Sequence, residues 1–253
     1  MRPGRLRRHP RLREDIGPTY RAIVGVMRPV LRVATRTDWS GAANIPATGG
    51  FVVAPNHISY IDPLILGDYL VEVGRAPRFL AKSTLFDVPV FGRIMKGTAQ
   101  IPVYRQSDRA IDAYSAALHA LGEGACVCVM PEGTVTRDPR MWPMTGKTGA
   151  ARLALETGLP LVPVGMWGAQ HILKAYEQKV PRVFPRKKVQ VYAGPPVDLS
   201  DLAHTPIDTV SLSVATDRLM NAVTEQVSLA RGVAPPLDRY DLSSDDARRG
   251  GHR

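Results

Sequence analysis

Ala125-Cys126-Val127-Cys128-Val129-Met130 is apolar at every position. That run suits a strand rather than a helix in length, and a strand with no polar face must be covered on both sides. It therefore belongs in the interior of a parallel sheet with helices packed above and below. Phe51-Val52-Val53-Ala54 and Leu161-Val162-Pro163-Val164 are two further short apolar runs, and Pro163, which limits pairing, is expected to mark an edge or a bend. Strands are also expected at 77–81, 100–105 and 189–193. Helical patterns separate them at 64–73, 82–96, 107–121, 147–157 and 206–231, with Ser107-Asp108 as an N-cap and Gly74, Gly122 and Gly124 as stops. The fold class implied is α/β, a single domain with a largely parallel or mixed sheet flanked by helices. A chain of 253 residues suffices for one such domain, and nothing in its composition demands a second.

The net charge of +10 matters for where it sits. Residues 1–36 carry ten Arg against Glu14 and Asp15, which is +8 of that total. The remainder is close to neutral, which argues against a folded nucleic-acid-binding face. From 16 to 39 apolar residues recur at helical spacing, with Arg21, Arg28, Arg32 and Arg36 on one stripe opposite most of them. Charge interrupts this stretch too often for a bilayer span, which needs about 20 mostly apolar residues. Two readings stand: an amphipathic helix lying in an anionic membrane surface, or a helix that packs its apolar face on the domain and leaves its Arg in water. The domain plan is a basic arm and interfacial helix at 1–40, a catalytic domain at 41–231 and a polar, disordered tail at 232–253.

Cys126 and Cys128 are the only cysteines. Two apart on a strand they share a face and do not readily bridge, so they read as buried thiols in a reducing, cytoplasmic setting. The six His are scattered, which speaks against a zinc site. Met144-Thr145-Gly146-Lys147-Thr148 suggests a phosphate-binding P-loop, but that pattern needs a Gly where Met141 stands.

Ala54-Pro55-Asn56-His57-Ile58-Ser59-Tyr60-Ile61-Asp62 lies where a strand hands over to a helix, a usual address for chemistry in α/β proteins. With four residues between them, Asp62 can return onto the His57 imidazole, fix its tautomer and leave Nε2 to take a proton. A helix-capping Asp beside a His bonded to backbone is the alternative these two residues leave open.

Further blocks bear on that choice: Phe91-Gly92-Arg93 through Gly97 to Arg105, then Met130-Pro131-Glu132-Gly133-Thr134, then Leu161-Val162-Pro163-Val164. With Asn56-His57 and Asp62, in this order, they resemble the four sequence blocks of glycerolipid acyltransferases of the lysophosphatidate acyltransferase type, over roughly 44–196. The resemblance implies a glycerol-3-phosphate acyltransferase-like fold and transfer of a fatty acyl group from acyl-CoA or acyl-ACP to lysophosphatidate, with glycerol-3-phosphate as an alternative acceptor. It implies His57 as general base with Asp62 behind it. Arg105, Glu132, Gly133 and Thr134, with Asn56 and Lys147, would hold the acceptor; Glu132 would orient Arg105 or glycerol hydroxyls. Family members often follow the Thr with Arg-Ser, whereas this chain has Val135-Thr136-Arg137. No metal or prosthetic group is implied, and the expected partners are the anionic membrane surface and the two substrates, at the cytoplasmic face of the cell membrane. A membrane-tethered thioesterase and a non-catalytic lipid-binding module are the competing classes.

Overall fold

The computed structural model describes residues 12, 14, 16–104, 110–177 and 180–242. Six helices, α1 (Pro18–Ala34), α2 (Asp62–Glu72), α3 (Phe91–Gly97), α4 (Ala110–Gly122), α5 (Gly149–Thr157) and α6 (Thr209–Arg231), surround one seven-stranded sheet among the described residues. Its strands are β1 (Thr35–Ser40), β2 (Phe51–Pro55), β3 (Pro77–Lys82), β4 (Ile101–Val103), β5 (Cys126–Cys128), β6 (Leu161–Trp167) and β7 (Lys187–Ala193). They lie in the order β1-β7-β6-β2-β5-β3-β4, parallel throughout except for the antiparallel β6–β7 pair.

The run at 125–130 is central, as its two apolar faces require. Cys126 and Cys128 point with Phe51, Val53, Val162 and Val164 into the core under α2, while Val127 joins Val52, Ala54 and Leu161 beneath α4, α5 and α6. Each large aliphatic side chain so buried contributes about 1.5–3 kcal/mol. A Cβ on Gly165 of β6 would stand 2.2 Å from the Gln226 carbonyl carbon, so the α6 backbone rests directly on the sheet. At the opposite edge from the site, buried Arg75 ties three loops by donating to the carbonyls of Pro46, Gly49 and Gly124, its guanidinium 4.6 Å from the Phe51 ring centre.

Three expectations are corrected. Pro163 lies inside the sheet, between β2 and β7. Its carbonyl accepts from Gly194 N–H, so its missing donor faces the β7 side, where the ladder has ended at the Val164–Ala193 pair. The helix expected to reach residue 39 stops at Ala34, and Thr35–Ser40, rich in β-branched and aromatic residues, becomes an edge strand on β7. Residues 232–242 of the expected disordered tail are described and pack on the domain: Thr145 N–H donates to Tyr240 O at 3.0 Å, and Arg239 pairs with Asp217.

Helix α1 is reversed relative to the reading that packs its apolar face on the domain and leaves its Arg in water. Arg28, 6% exposed, donates through Nε to Asp68 of α2 at 2.7 Å and through Nη2 to Glu72, which Arg32 also approaches. Val26, Val30 and Val33, a stripe at helical spacing, are 64%, 55% and 60% exposed. The acids on α2 decide this, because buried carboxylates without cations cost more than exposed valines.

Candidate active site

β2, β5 and β6 run parallel and end on one edge of the sheet, and the residues following each meet there. β2 ends at Pro55, and residues 56–61 form the loop that leads into α2. Asp62 opens that helix with its carboxylate turned back. Its Oδ2 accepts from Ile58 N–H at 2.6 Å and Ser59 N–H at 2.7 Å, and lies 2.8 Å from His57 Nδ1. Asp62 is the first helical residue and caps no helix N–H; it ties the turn before the helix and lies against the imidazole, as the first of the two sequence readings expects. Asp62 is wholly buried, whereas the His57 side chain keeps 16% exposure, so the ring is presented to solvent from a rigid seat.

The backbone of His57 is gripped from β5. Its N–H donates to Glu132 Oε1 at 2.8 Å, and its carbonyl accepts from Thr136 N–H at 2.7 Å. Glu132 Oε2 accepts from Met144 N–H at 3.0 Å. Glu132 is 3% exposed, and burial pushes its carboxyl up from 4.5 to about 8 against the opposing pull of these two N–H donors. Each oxygen therefore accepts from one backbone N–H, while the expected contact with Arg105 falls outside the described residues. Asn56 is likewise held by backbone. Its amide donates to Met166 O at 3.1 Å and accepts from Met166 N–H at 2.7 Å, which leaves it fully buried as a clasp between β2 and β6.

Gly133 takes φ +69° in the turn after β5, and its N–H bonds Met130 O. The missing Cβ also leaves room for a neighbouring side chain. An added Cβ would lie 3.0–3.2 Å from Cε, Cδ and Nζ of Lys147, which drapes over the glycine while its own N–H holds Pro131 O at 2.8 Å. Lys147 is exposed and brings a cation to the Glu132–Gly133 turn. Thr134 Oγ1 lies 3.2 Å from the Tyr176 hydroxyl. Arg105 falls outside the described residues, so its expected place is not given by these contacts.

Tyr176 was not expected from the sequence. At φ +64° and 56% exposed, it donates to Val135 O at 3.1 Å, packs edge-on to Tyr60 and lies under the Arg137 guanidinium. No local pattern marks it, because it reaches the site from the loop after β6. Ser59 reaches the same loop, its Oγ donating to Leu173 O at 2.6 Å. Neither thiol is near this chemistry: Cys126 and Cys128 are buried in β5, and burial holds the Cys128 thiol well above its ordinary range.

An oriented imidazole with Nε2 unclaimed, beside a small cationic turn, can abstract a proton from a hydroxyl or water next to an anionic group. Residues 36–167 match the sequence profile of the Acyltransferase family. A chloroplastic 1-acyl-sn-glycerol-3-phosphate acyltransferase, BAT2, of Brassica napus is 27% identical over 196 residues, 77% of this chain and 52% of that protein. The chain thus spans about half the length of that relative. The 1-acyl-sn-glycerol-3-phosphate acyltransferase of Bacillus subtilis is 26% identical over 209 residues, 81% of this chain and 96% of that one. Among solved structures, the 1-acyl-sn-glycerophosphate (LPA) acyltransferase PlsC of Thermotoga maritima superposes with a TM-score of 0.64 at 21% identity, covering 86% of this chain and 81% of its own, which establishes a shared fold.

Proposed function

Because this chain belongs to the Acyltransferase family, we propose that it transfers a fatty acyl group from an acyl thioester, acyl-CoA or acyl-ACP, to the free hydroxyl of lysophosphatidate, giving phosphatidate. The observation that carries the proposal is the 2.8 Å contact between His57 Nδ1 and a buried carboxylate, in a chain whose relatives are named for this reaction.

His57 Nε2 takes the proton of the acceptor hydroxyl as its oxygen attacks the thioester carbonyl carbon. Asp62 holds the Nδ1–H tautomer and stabilises the imidazolium. Collapse of the tetrahedral intermediate breaks the C–S bond, and the sulfur leaves as a thiol with the proton from His57. Glu132 acts through His57 as a positioning residue, gripping its backbone N–H. Lys147, poised over Gly133, faces the acceptor's phosphate, and we keep Arg105 as its second cation, a planar guanidinium suited to bidentate phosphate contact. Thr134 and Tyr176 supply hydroxyls on the same rim.

The enzyme would work as a peripheral protein on the cytoplasmic face of the membrane. No described helix is long and apolar enough to cross a bilayer. The exposed Val26, Val30 and Val33 stripe of α1 supplies apolar surface, and exposed Val180 and Phe184 extend it from the loop that Arg186 ties to Arg32 O and Thr35 O at the end of α1.

The test is thiol release from palmitoyl-CoA by the protein in detergent micelles, with lysophosphatidate, glycerol-3-phosphate or no acceptor, beside His57→Ala. Release that requires lysophosphatidate and falls about 10²–10⁴-fold in the variant is expected. Equal release without acceptor would overturn the transfer and leave a thioesterase.

A further inference from the structure

A cleft of about 630 Å³ opens on the sheet edge that carries His57, between the end of β6, the turn after it and the start of β7. That volume is typical of a small-molecule site. Its wall holds His171, Lys174, Arg182, Arg186, Lys187 and Lys188 and no carboxylate. Three of these cations are partly engaged at the rim: Lys174 by Glu177, Lys188 by Asp38, and Arg186 by the α1 carbonyls. Arg182 and Lys187 have no carboxylate partner among the described residues.

Gln170 supplies an independent sign of a ligand. It lines the cleft at 4% exposure, and its Oε1 accepts from Gly168 N–H at 2.8 Å, yet its Nε2 has no partner. Flipping the amide does not relieve this, since Nε2 would then oppose the Gly168 N–H. A buried donor of this kind calls for an acceptor that enters with the ligand. Donors and cations around one cleft select an anion with several oxygens, and phosphate is the common biological one.

The cleft adjoins the catalytic loop through covalent neighbours. Trp167 follows Met166, which clasps Asn56, and Lys174 follows Leu173, whose carbonyl holds Ser59. A thioester whose carbonyl sits at His57 can therefore extend its carrier group to this cleft.

We propose that the cleft binds the phosphate groups of coenzyme A, with Arg182 and Lys187 pairing to phosphate oxygens and Gln170 Nε2 donating to one of them. This rests on the acyl-transfer reading and specifies its donor. A recessed amide favours a small ligand that enters the cleft over a flat bilayer or the convex surface of a carrier protein.

Two variants of the full chain test it. Arg182→Glu with Lys187→Glu reverses charge on the cleft wall, and Gln170→Glu keeps shape and the Gly168 bond while replacing the donor by a repelling oxygen. Binding of free coenzyme A and of its 3′-dephospho form is measured by calorimetry in detergent, beside kinetics with palmitoyl-CoA, palmitoyl-ACP and lysophosphatidate. Both variants are expected to weaken coenzyme A binding and raise the palmitoyl-CoA KM on the order of tenfold or more. Turnover at saturating donor and the KM for lysophosphatidate should be kept in both variants, and Tm in the charge-reversal variant, as befits removal of uniform binding. Unchanged coenzyme A affinity in both variants overturns the site. So does loss confined to palmitoyl-ACP, which would make the cleft a protein-docking surface, or loss confined to binding of phosphatidylglycerol vesicles, which would make it a membrane contact. Coenzyme A binding that depends on these residues without any acyl transfer would keep the site and overturn the proposed reaction.

Discussion

Replacing Glu132 by Gln preserves the shape of a buried side chain and removes its titration. In the wild type both carboxyl oxygens face backbone donors, His57 N–H at 2.8 Å and Met144 N–H at 3.0 Å. A Gln can answer only one of them; its NH₂ confronts the other, and an unmet buried donor costs about 1–3 kcal/mol. At about 2–4 °C per kcal/mol for a domain of this size, the Tm of Glu132→Gln near pH 5 should lie below wild type by roughly 2–12 °C. The difference must then shrink with pH. The folded carboxyl titrates at about 8 and the unfolded one near its ordinary 4.5, so across that window the native state holds a proton that the unfolded state releases. A raised carboxyl contributes stability that is fully present below the lower value and lost as pH rises through the upper, with a slope of at most about 1.4 kcal/mol per unit. The variant lacks this slope, which closes a gap of about 1–3 kcal/mol within about one to two pH units, so the two Tm curves should meet by about pH 7 and cross above it in thermal melts run from pH 5 to 8.5. A gap independent of pH would refute the buried, raised carboxyl. Because Glu132 acts through the His57 backbone, kcat should fall, on the order of 10²-fold for a displacement near 1 Å, with little change in KM. An unchanged kcat would refute its positioning role.

Asp62 meets the Ile58 N–H, the Ser59 N–H and His57 Nδ1 through the one oxygen Oδ2, so Asp62→Asn keeps these contacts with its amide oxygen and loses the charge that stabilises an imidazolium; kcat should fall by about 10²–10⁴-fold, read by thiol release beside a circular dichroism spectrum showing an intact fold. Arg28→Ala leaves Asp68 and Glu72 without their buried cation and should cost about 3–5 kcal/mol in urea unfolding; a cost under 1 kcal/mol would mean the reversed helix is not anchored there. Val26→Glu, Val30→Glu and Val33→Glu together should abolish flotation with phosphatidylglycerol vesicles while leaving stability within about 0.5 kcal/mol per site, and retention of vesicle binding would show that this face does not meet the membrane.

The sequence by itself determined the central strands, because a short run with no polar residue can be stable only between two covering layers. It also brought His57 and Asp62 together, since their contact spans five positions across one strand-to-helix turn, and the presence of Glu132, Gly133 and Thr134 at a strand end followed from the same reasoning. Tertiary structure decided what these residues touch. Glu132 and Asn56 look like ligand-binding groups in one dimension, but their partners are backbone groups of residues 57, 144 and 166, which only the folding of β2, β5 and β6 side by side brings into reach. The orientation of α1 is the sharpest case: its sequence has an Arg stripe and a Val stripe of comparable strength, and periodicity states that the faces differ without saying which is turned inward. That depended on Asp68 and Glu72, some forty residues away on α2. Hydrophobic patterning is a local property and survives in the sequence, whereas the pairing of a buried charge or amide is fixed by whichever distant group the fold places beside it.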